Sequence, residues 1–205
     1  MTKKIFLFFV CILFAFQYEC KAQNVKTFMK WKIVEQVDEF GDPIGGSVLS
    51  YETKGTFSNN TVATKNSATV LVMFTKEYGV LFQFFEYGKY YASLYTDLNA
   101  PLSVKTKSGN VTKFFMVPRS KGRIFPMPIS DVTRKWGYED FSLFIDMLIK
   151  ETTIKCVFSD VKGKSFSFSI DCRGFTKAFE AFLKDNDLTK IKILDEDFLY
   201  DHWDE

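Results

Sequence analysis

The chain has 205 residues, of which 46% are hydrophobic, 18% aromatic and 25% charged. Gly (11) and Pro (5) are scarce and the charged fraction is ordinary, which excludes a disordered or collagen-like chain and indicates one sizeable domain. The formal net charge is +2 and there is one His, so no metal or nucleophile constellation stands out.

Residues 1–22 fit a secretory signal peptide. Lys3 and Lys4 form a basic start, residues 5–16 are apolar and uncharged, and Ala22 is a small residue at the expected cleavage position. The apolar run would rise about 18 Å as a helix, which is short of the roughly 30 Å needed to span a membrane. An uncleaved anchor and a lipidated cysteine are the alternatives. We therefore expect an exported protein in the periplasm, at the cell surface or outside the cell, without a transmembrane span after cleavage.

Cleavage would leave 24 basic and 24 acidic residues, so the excess positive charge belongs to the leader. A neutral mature chain lacks the basic character of most nucleic-acid-binding proteins, and we expect no nucleic-acid partner.

After the leader, the sequence is mostly strand-like, with frequent turn signals. Residues 38–46 form a turn cluster, and Pro126 and Pro128 restrict residues 124–129 to an edge strand. The predicted strands are 31–37, 47–57, 61–64, 68–75, 80–87, 89–96, 102–107, 111–117, 154–158 and 164–170. Helical periodicity is confined to residues 138–150 and 175–183.

These elements predict a single β-rich domain over residues 23–187, followed by a short strand and an acidic tail over residues 188–205. The fold class is mainly β (α+β): an antiparallel β-sandwich or a partly open barrel with two helices in the C-terminal half.

Two short motifs occur along this predicted order of strands and helices. Asp42-Pro43 follows a first strand that carries Trp31, and a strand-to-helix motif consists of Phe168, Ile170, Gly174, Phe175 and Ala178. The mature chain thereby resembles small exported β-sandwich proteins of the invasion-associated locus B and type VI secretion accessory kind, although the cysteines expected near their first strands are missing here. The leader end, Lys21-Ala22-Gln23, is similar to those of exported Bacteroidota proteins. The resemblance implies a sandwich in the cell envelope with a non-catalytic role, and it carries over no functional residue.

The most informative local feature is an aromatic hairpin around Gly88. A two-residue turn at Gly88-Lys89 would place Tyr87 opposite Tyr90, Tyr91 opposite Glu86, and Tyr95 opposite Phe82. Tyrosine tolerates a solvated sheet face because its ring is apolar and its tip is polar. We interpret Tyr87, Tyr90, Tyr91 and Tyr95 as a stacking platform for a sugar ring or a partner side chain. The alternative is cross-strand pairing that only stabilises the sheet.

A second candidate is the basic loop that carries Arg119, Lys121 and Arg123. Its cations would suit lipid headgroups, acidic glycans or a partner protein. A solvated loop without a ligand is the alternative.

The sequence gives little support for a disulfide, a metal site or a catalytic site. Cys156 and Cys172 would lie about 13 Å apart on a hairpin, so a disulfide is unlikely on geometry and buried thiols are expected. His202 lies in the tail, and the acidic tail matches no calcium-binding loop. We predict no metal, no cofactor and no catalytic residue.

The sequence therefore favours an exported, non-enzymatic binding or accessory domain of the cell envelope, with an envelope protein or a glycan as partner. One alternative is a secreted carboxylate-dependent hydrolase acting on glycans, which would need two carboxylates in one cleft. The candidates are Glu52, Glu77, Glu86, Asp97 and Asp131. A purely structural envelope component is the other alternative.

Overall fold

The structure, a computed structural model, describes residues 24–59, 62–76, 79–96, 99–126 and 134–188. The predicted signal peptide, His202 and the acidic tail lie outside these residues. In chain order the elements are β1 (Val25–Phe28), β2 (Trp31–Val37), β3 (Pro43–Asn59), β4 (Val62–Thr75), β5 (Gly79–Glu86), β6 (Tyr90–Tyr91), β7 (Ala100–Lys105), β8 (Val111–Arg119), β9 (Arg123–Pro126), α1 (Arg134–Lys150), β10 (Thr153–Ser159), β11 (Ser165–Asp171) and α2 (Phe175–Asp185).

Eight strands close into an antiparallel barrel. Their order around the ring is β3-β4-β5-β9-β8-β7-β10-β11, and β11 pairs with β3 again. The prediction of a mainly β protein with two helices is confirmed. The β-sandwich is wrong, and the barrel of the other expectation is closed rather than partly open. The ring closes because β3, 17 residues long, pairs with β4 along one edge and with β2 and then β11 along the other. Alternating buried and polar positions suit both architectures, so this alternation alone did not distinguish them.

The hairpin of β1 and β2 extends the sheet beyond the ring. Strand β2 pairs with the part of β3 from Pro43 to Tyr51, whereas β11 pairs with β3 from Gly55 to Ser58. Strand β3 thus begins inside the predicted turn cluster, and the turn is shorter than expected. It is stabilised by Asp38, whose Oδ1 accepts hydrogen bonds from two backbone N–H groups at 2.9 Å each.

Strand β9 has neighbours on both sides, so the prediction of an edge strand is wrong. It pairs with β8 along its full length and with β5 at Arg123 and Ile124. Pro126 lies beyond the residues that pair with β5. Its missing N–H therefore removes no hydrogen bond from that side of the ladder.

Phenylalanine rings fill the inside of the ring. Alternate residues of β5, β10 and β11 point inward, and the largest of them are Phe82, Phe84, Phe158, Phe166 and Phe168, all at most 5% exposed. The ring of Phe84 lies 4.7 Å from that of Phe166 and 5.3 Å from that of Phe158. Replacing such a phenylalanine by alanine typically lowers the free energy of unfolding by about 3–5 kcal/mol, so this cluster contributes strongly to the stability of the fold.

Both helices cover one end of the barrel, because α1 leads into β10 and α2 follows β11. Phe144 of α1 contacts Phe82 and Phe114, with ring centres 5.6 and 5.7 Å apart. The buried residues of α2 are Phe175, Ala178, Phe179 and Phe182, the face that helical periodicity predicts. Both predicted helices are confirmed. We call this the helix end, and the opposite end, with the β5–β6, β8–β9 and β10–β11 turns, the turn end.

Candidate functional site

Three tyrosines lie exposed on the turn that joins β5 to β6. Tyr87 is 57% exposed, Tyr90 59% and Tyr91 56%. Tyr91 pairs with Phe85, so the turn has three residues and the predicted pairing of Tyr87 with Tyr90 is wrong. Left-handed backbone at the first two turn residues, with φ of 53° and 76°, accommodates the additional residue. We call the segment from Tyr87 to Tyr91 the tyrosine turn.

Two rings of the tyrosine turn pack against aromatic side chains of the barrel strands, and the third lies beside a lysine of the turn itself. The ring of Tyr91 lies 5.3 Å from that of Phe85, and Tyr87 meets the buried ring of Phe57 edge-on at 5.2 Å. Lys89 places its Nζ 5.0 Å from the centre of the Tyr90 ring. Because these contacts already orient the rings, binding would lose less conformational entropy than it would with freely rotating side chains.

The predicted basic loop is a tight hairpin turn between β8 and β9. Arg119 and Arg123 occupy directly opposite positions on these strands. Lys121 lies at the tip with a left-handed φ of 58°, and its carbonyl accepts a hydrogen bond from Gln83 Nε2 at 3.1 Å. Arg123 Nε donates to the Ser120 carbonyl at 3.3 Å. We call the segment from Arg119 to Arg123 the basic turn.

Gly122 brings the basic turn and the tyrosine turn together. Its carbonyl accepts a hydrogen bond from the Phe84 N–H at 2.8 Å, and the Phe84 carbonyl accepts one from the Ala92 N–H at 2.9 Å. A Cβ at Gly122 would lie 2.5 Å from the Phe84 oxygen and 2.8 Å from the Ala92 nitrogen, at a φ of +66°. Only glycine permits this approach. The structure therefore places six of the seven predicted binding residues in one region of the turn end.

Tyr95 is the seventh residue, and it lies apart from the others. The sequence predicts it opposite Phe82, but Phe82 pairs with Ile124, because β6 ends at Tyr91. The Tyr95 ring lies beneath Lys162 instead, with Nζ 4.3 Å from the ring centre. Both residues line a cleft of about 270 Å³ at the turn end.

Asp160 and Lys164 shape this cleft. Asp160 Oδ1 accepts hydrogen bonds from the backbone N–H groups of Lys162 and Lys164 at 3.0 and 2.9 Å, and Oδ2 accepts one from Tyr95 at 3.4 Å. The ammonium of Lys164 lies 2.6 Å from Glu86 Oε1 and 2.9 Å from the Ser93 carbonyl. These carboxylates therefore hold the chain segments that surround the cleft.

The carboxylates proposed for a hydrolase are dispersed where the structure describes them. Glu86 is bound to Lys164, whereas Glu52 lies on β3 with 63% of its side chain exposed, 3.5 Å from Lys54. The remaining candidates, Glu77, Asp97 and Asp131, lie outside the described residues.

Cys156 and Cys172 are free and buried. Cys156 lies opposite Phe168, within the range that the predicted hairpin gives. Burial raises the pKa of both thiols, to about 12 for Cys172. Both are therefore protonated at neutral pH, whereas the thiolate is the nucleophilic form.

No protein-family model, no curated protein and no solved structure matches this chain. Among the described residues, no helix has the length and apolar character to cross a membrane. The same part of the chain holds no group of three or more His, Cys, Asp or Glu side chains positioned for a metal ion.

Proposed function

We propose that this protein is an exported, non-enzymatic binding domain of the cell envelope that contacts a glycan through the tyrosine turn. The observation that carries the proposal is the exposure of Tyr87, Tyr90 and Tyr91, each more than half accessible on one short turn. Aromatic rings of this kind offer an apolar face to the C–H groups of a sugar, and the phenol hydroxyls can hydrogen-bond its hydroxyls.

The surroundings favour a glycan over the apolar centre of a protein–protein interface. Such centres are depleted in charged residues. Here Lys89 lies beside Tyr90, and the basic turn adjoins the tyrosine turn through Gly122. A polar, hydroxyl-rich ligand is compatible with tyrosine rings that lie next to Lys89 and the basic turn.

The filled core also supports an external site. The inward-facing rings of the barrel, such as Phe84 and Phe166, are fully buried against one another. A ligand of sugar size would have to displace them to enter the ring, at a cost of several kcal/mol. Contact on the outer surface requires no such rearrangement.

The test is a binding titration of the secreted protein against a panel of envelope polysaccharides. We expect Tyr87→Ala, Tyr90→Ala and Tyr91→Ala each to weaken the affinity by about fivefold or more, as interface aromatic residues do. The control is Phe40→Ala, because Phe40 is 79% exposed on the turn between β2 and β3.

Unchanged affinity in all three folded tyrosine variants would contradict the proposal. A loss of the same size in Phe40→Ala would show that the effect is not local to the tyrosine turn. Hydrolysis of a panel member would instead support the carboxylate-dependent hydrolase.

A further inference from the structure

Five basic residues occupy outward positions on four neighbouring barrel strands, β10, β7, β8 and β9. They alternate with buried residues such as Cys156 on β10, Val104 on β7 and Phe114 on β8. We call them the basic strip: Lys155, Lys105, Lys113, Arg119 and Arg123.

Four of these residues form two like-charge pairs. Lys105 lies directly opposite Lys155, and Arg119 lies directly opposite Arg123. Like charges in directly opposite positions destabilise a sheet. The stability of the barrel therefore does not account for this arrangement.

Nothing in the described chain neutralises the basic strip. The outward positions of β7, β8, β9 and β10 contain no acidic residue, and none of the five basic residues forms an ion pair within the described residues. The two acidic residues nearest in sequence to β10 have other partners. Glu151 accepts a hydrogen bond from the Lys107 backbone N–H, and Asp160 holds the β10–β11 turn.

The basic strip continues towards the tyrosine turn. Lys113 and Arg119 are six residues apart on β8, which corresponds to about 20 Å of strand. Arg123 pairs with Gln83 of β5, and Phe85 on the same face of β5 supports Tyr91. A ligand that contacts the tyrosine turn can therefore extend along β8 without leaving the outer surface.

We propose that the basic strip binds the anionic groups of an extended acidic glycan, which makes the ligand of the tyrosine turn a polyanionic polysaccharide. This inference rests on the proposed function of the tyrosine turn. Phe115, 55% exposed, lies between Lys113 and Arg119 on β8, and Val157, 40% exposed, lies two residues after Lys155 on β10. Both offer apolar contacts for the sugar rings. Carboxylate, sulfate or phosphate groups on the chain would separate the opposed cations and relieve their repulsion.

The curvature of the barrel favours a chain over a membrane surface. The basic strip crosses four neighbouring strands of an eight-stranded ring, so it spans three of the eight steps between strands and bends around more than a third of the circumference. A flat bilayer would touch such a surface along one line only. A flexible polysaccharide can follow the bend and reach all five cations.

The test compares polygalacturonate with its fully methyl-esterified, neutral form, since the two polymers share one backbone. We expect the protein to bind polygalacturonate more tightly, with an affinity that falls as NaCl rises from 50 to 200 mM. Lys105→Gln/Lys155→Gln and Arg119→Gln/Arg123→Gln should each weaken that binding by about fivefold or more and leave the ester unaffected. The matched control, Lys32→Gln/Lys65→Gln, removes two exposed charges from β2 and β4.

Folding is monitored by the melting temperature, which we expect Lys105→Gln/Lys155→Gln to leave unchanged or to raise, because it removes a repulsive pair. Equal affinity of the wild-type protein for the two polymers would overturn the inference, as would an equal loss in the control. Tighter binding to phosphatidylglycerol vesicles or to single-stranded DNA, lost in the same variants, would assign the basic strip to another ligand and also overturn it.

The tyrosine variants separate the two proposals. If Tyr87→Ala and Tyr90→Ala weaken binding of both polymers while the strip variants change neither, the tyrosine turn binds glycan and the basic strip does not. If only the strip variants lose binding, the proposed function fails.

Discussion

Lys164 and Glu86 form an ion pair at the turn end of the barrel, with Nζ 2.6 Å from Oε1 and 17% of each side chain exposed. Lys164 lies immediately before β11, and Glu86 is the last residue of β5. The pair thus joins two strands that are not neighbours in the ring. Since β5 leads directly into the tyrosine turn, this ion pair also fixes the base of the proposed binding surface.

Replacing Lys164 should therefore destabilise the protein more than breaking an exposed ion pair. We expect Lys164→Met to lower the free energy of unfolding by about 1–3 kcal/mol, because Glu86 and the Ser93 carbonyl lose their shared partner. The control is Lys150→Met, whose ion pair with Asp146 is similarly short, 2.7 Å, but has side chains 70% and 42% exposed. That variant should change stability by about 0.5 kcal/mol or less in urea unfolding.

The double variant Lys164→Met/Glu86→Gln should recover part of the lost stability, because the unpaired charge is removed as well. Equal destabilisation by Lys164→Met and Lys150→Met would show that partial burial does not strengthen the first pair.

Gly122 gives a second prediction, on the contact between the two turns. We expect Gly122→Ala to lower the free energy of unfolding by about 2–4 kcal/mol, because the new Cβ meets the Phe84 and Ala92 backbone at a positive φ. Gly109→Ala is the control, since Gly109 also has a positive φ, +95°, but nothing lies within 4 Å of the added Cβ. It should cost only about 1 kcal/mol. Similar losses in both variants, measured by chemical unfolding, would argue against the close approach at Gly122.

The pKa of Asp171 supplies a third prediction. The hydrogen bonds from Arg173, at 2.8 Å to Oδ1 and 2.6 Å to Oδ2, hold the pKa of this carboxyl below its ordinary value of 3.8. A pKa that is lower in the folded than in the unfolded state means that Asp171 contributes stability above pH 3.8. This contribution is lost as the pH falls through the folded-state pKa.

Arg173→Gln should raise the pKa of Asp171 towards 3.8, which a ¹³C NMR titration of its carboxyl group would measure. The same variant should weaken the pH dependence of the free energy of unfolding below about pH 4. Arg119→Gln, at the opposite end of the barrel, should leave the titration of Asp171 unchanged. A midpoint in the wild-type protein at or above 3.8 would refute the role given to Arg173.

Thiol reactivity provides a fourth prediction. Cys156 and Cys172 should react very slowly with a thiol reagent at pH 8 in the folded protein, because burial raises the pKa of both thiols and restricts access. Mass spectrometry should detect their modification only after urea unfolds the chain. An added cysteine in Val111→Cys, at a position that is 57% exposed, should react at once. Rapid labelling of either native cysteine before unfolding would contradict the burial described above.

Local patterns predicted the helices and several hairpins, because the residues that determine them are close in sequence. The alternation of Phe166, Phe168 and Ile170 with serines gives the buried face of β11, and the spacing to Cys156 gives the β10–β11 register. Helical spacing likewise gives the buried face of α2.

The rest of the fold depends on pairing between strands that are distant in sequence, and local sequence patterns do not reveal such pairing. The sequence leaves a sandwich and a partly open barrel as alternatives, because nothing within β3 reveals that one of its edges pairs with a strand more than 100 residues later, as Gly55 does with Phe168. The cationic pair of Lys105 and Lys155 was missed for the same reason, since it requires β7 and β10 to be neighbours.

The tyrosines were found, but their register was not. The clustering of tyrosines around Gly88 can be recognised in the sequence. The register of the hairpin, in contrast, depends on the backbone conformation of one residue. Tyr87 adopts a left-handed φ of 53°, which is unusual for a residue with a bulky side chain. The turn consequently takes one more residue than Gly88-Lys89 alone would need.

Strand β3 has a consequence for how the nascent chain matures. It forms the seam of the ring, because it pairs with β4, the next strand in the chain, and with β11, the last strand that the structure describes. A polypeptide made from its N-terminus therefore cannot complete the barrel until β11 has been translated. Until then, one edge of β3 and the phenylalanine-rich interior stay open to water and to chaperones.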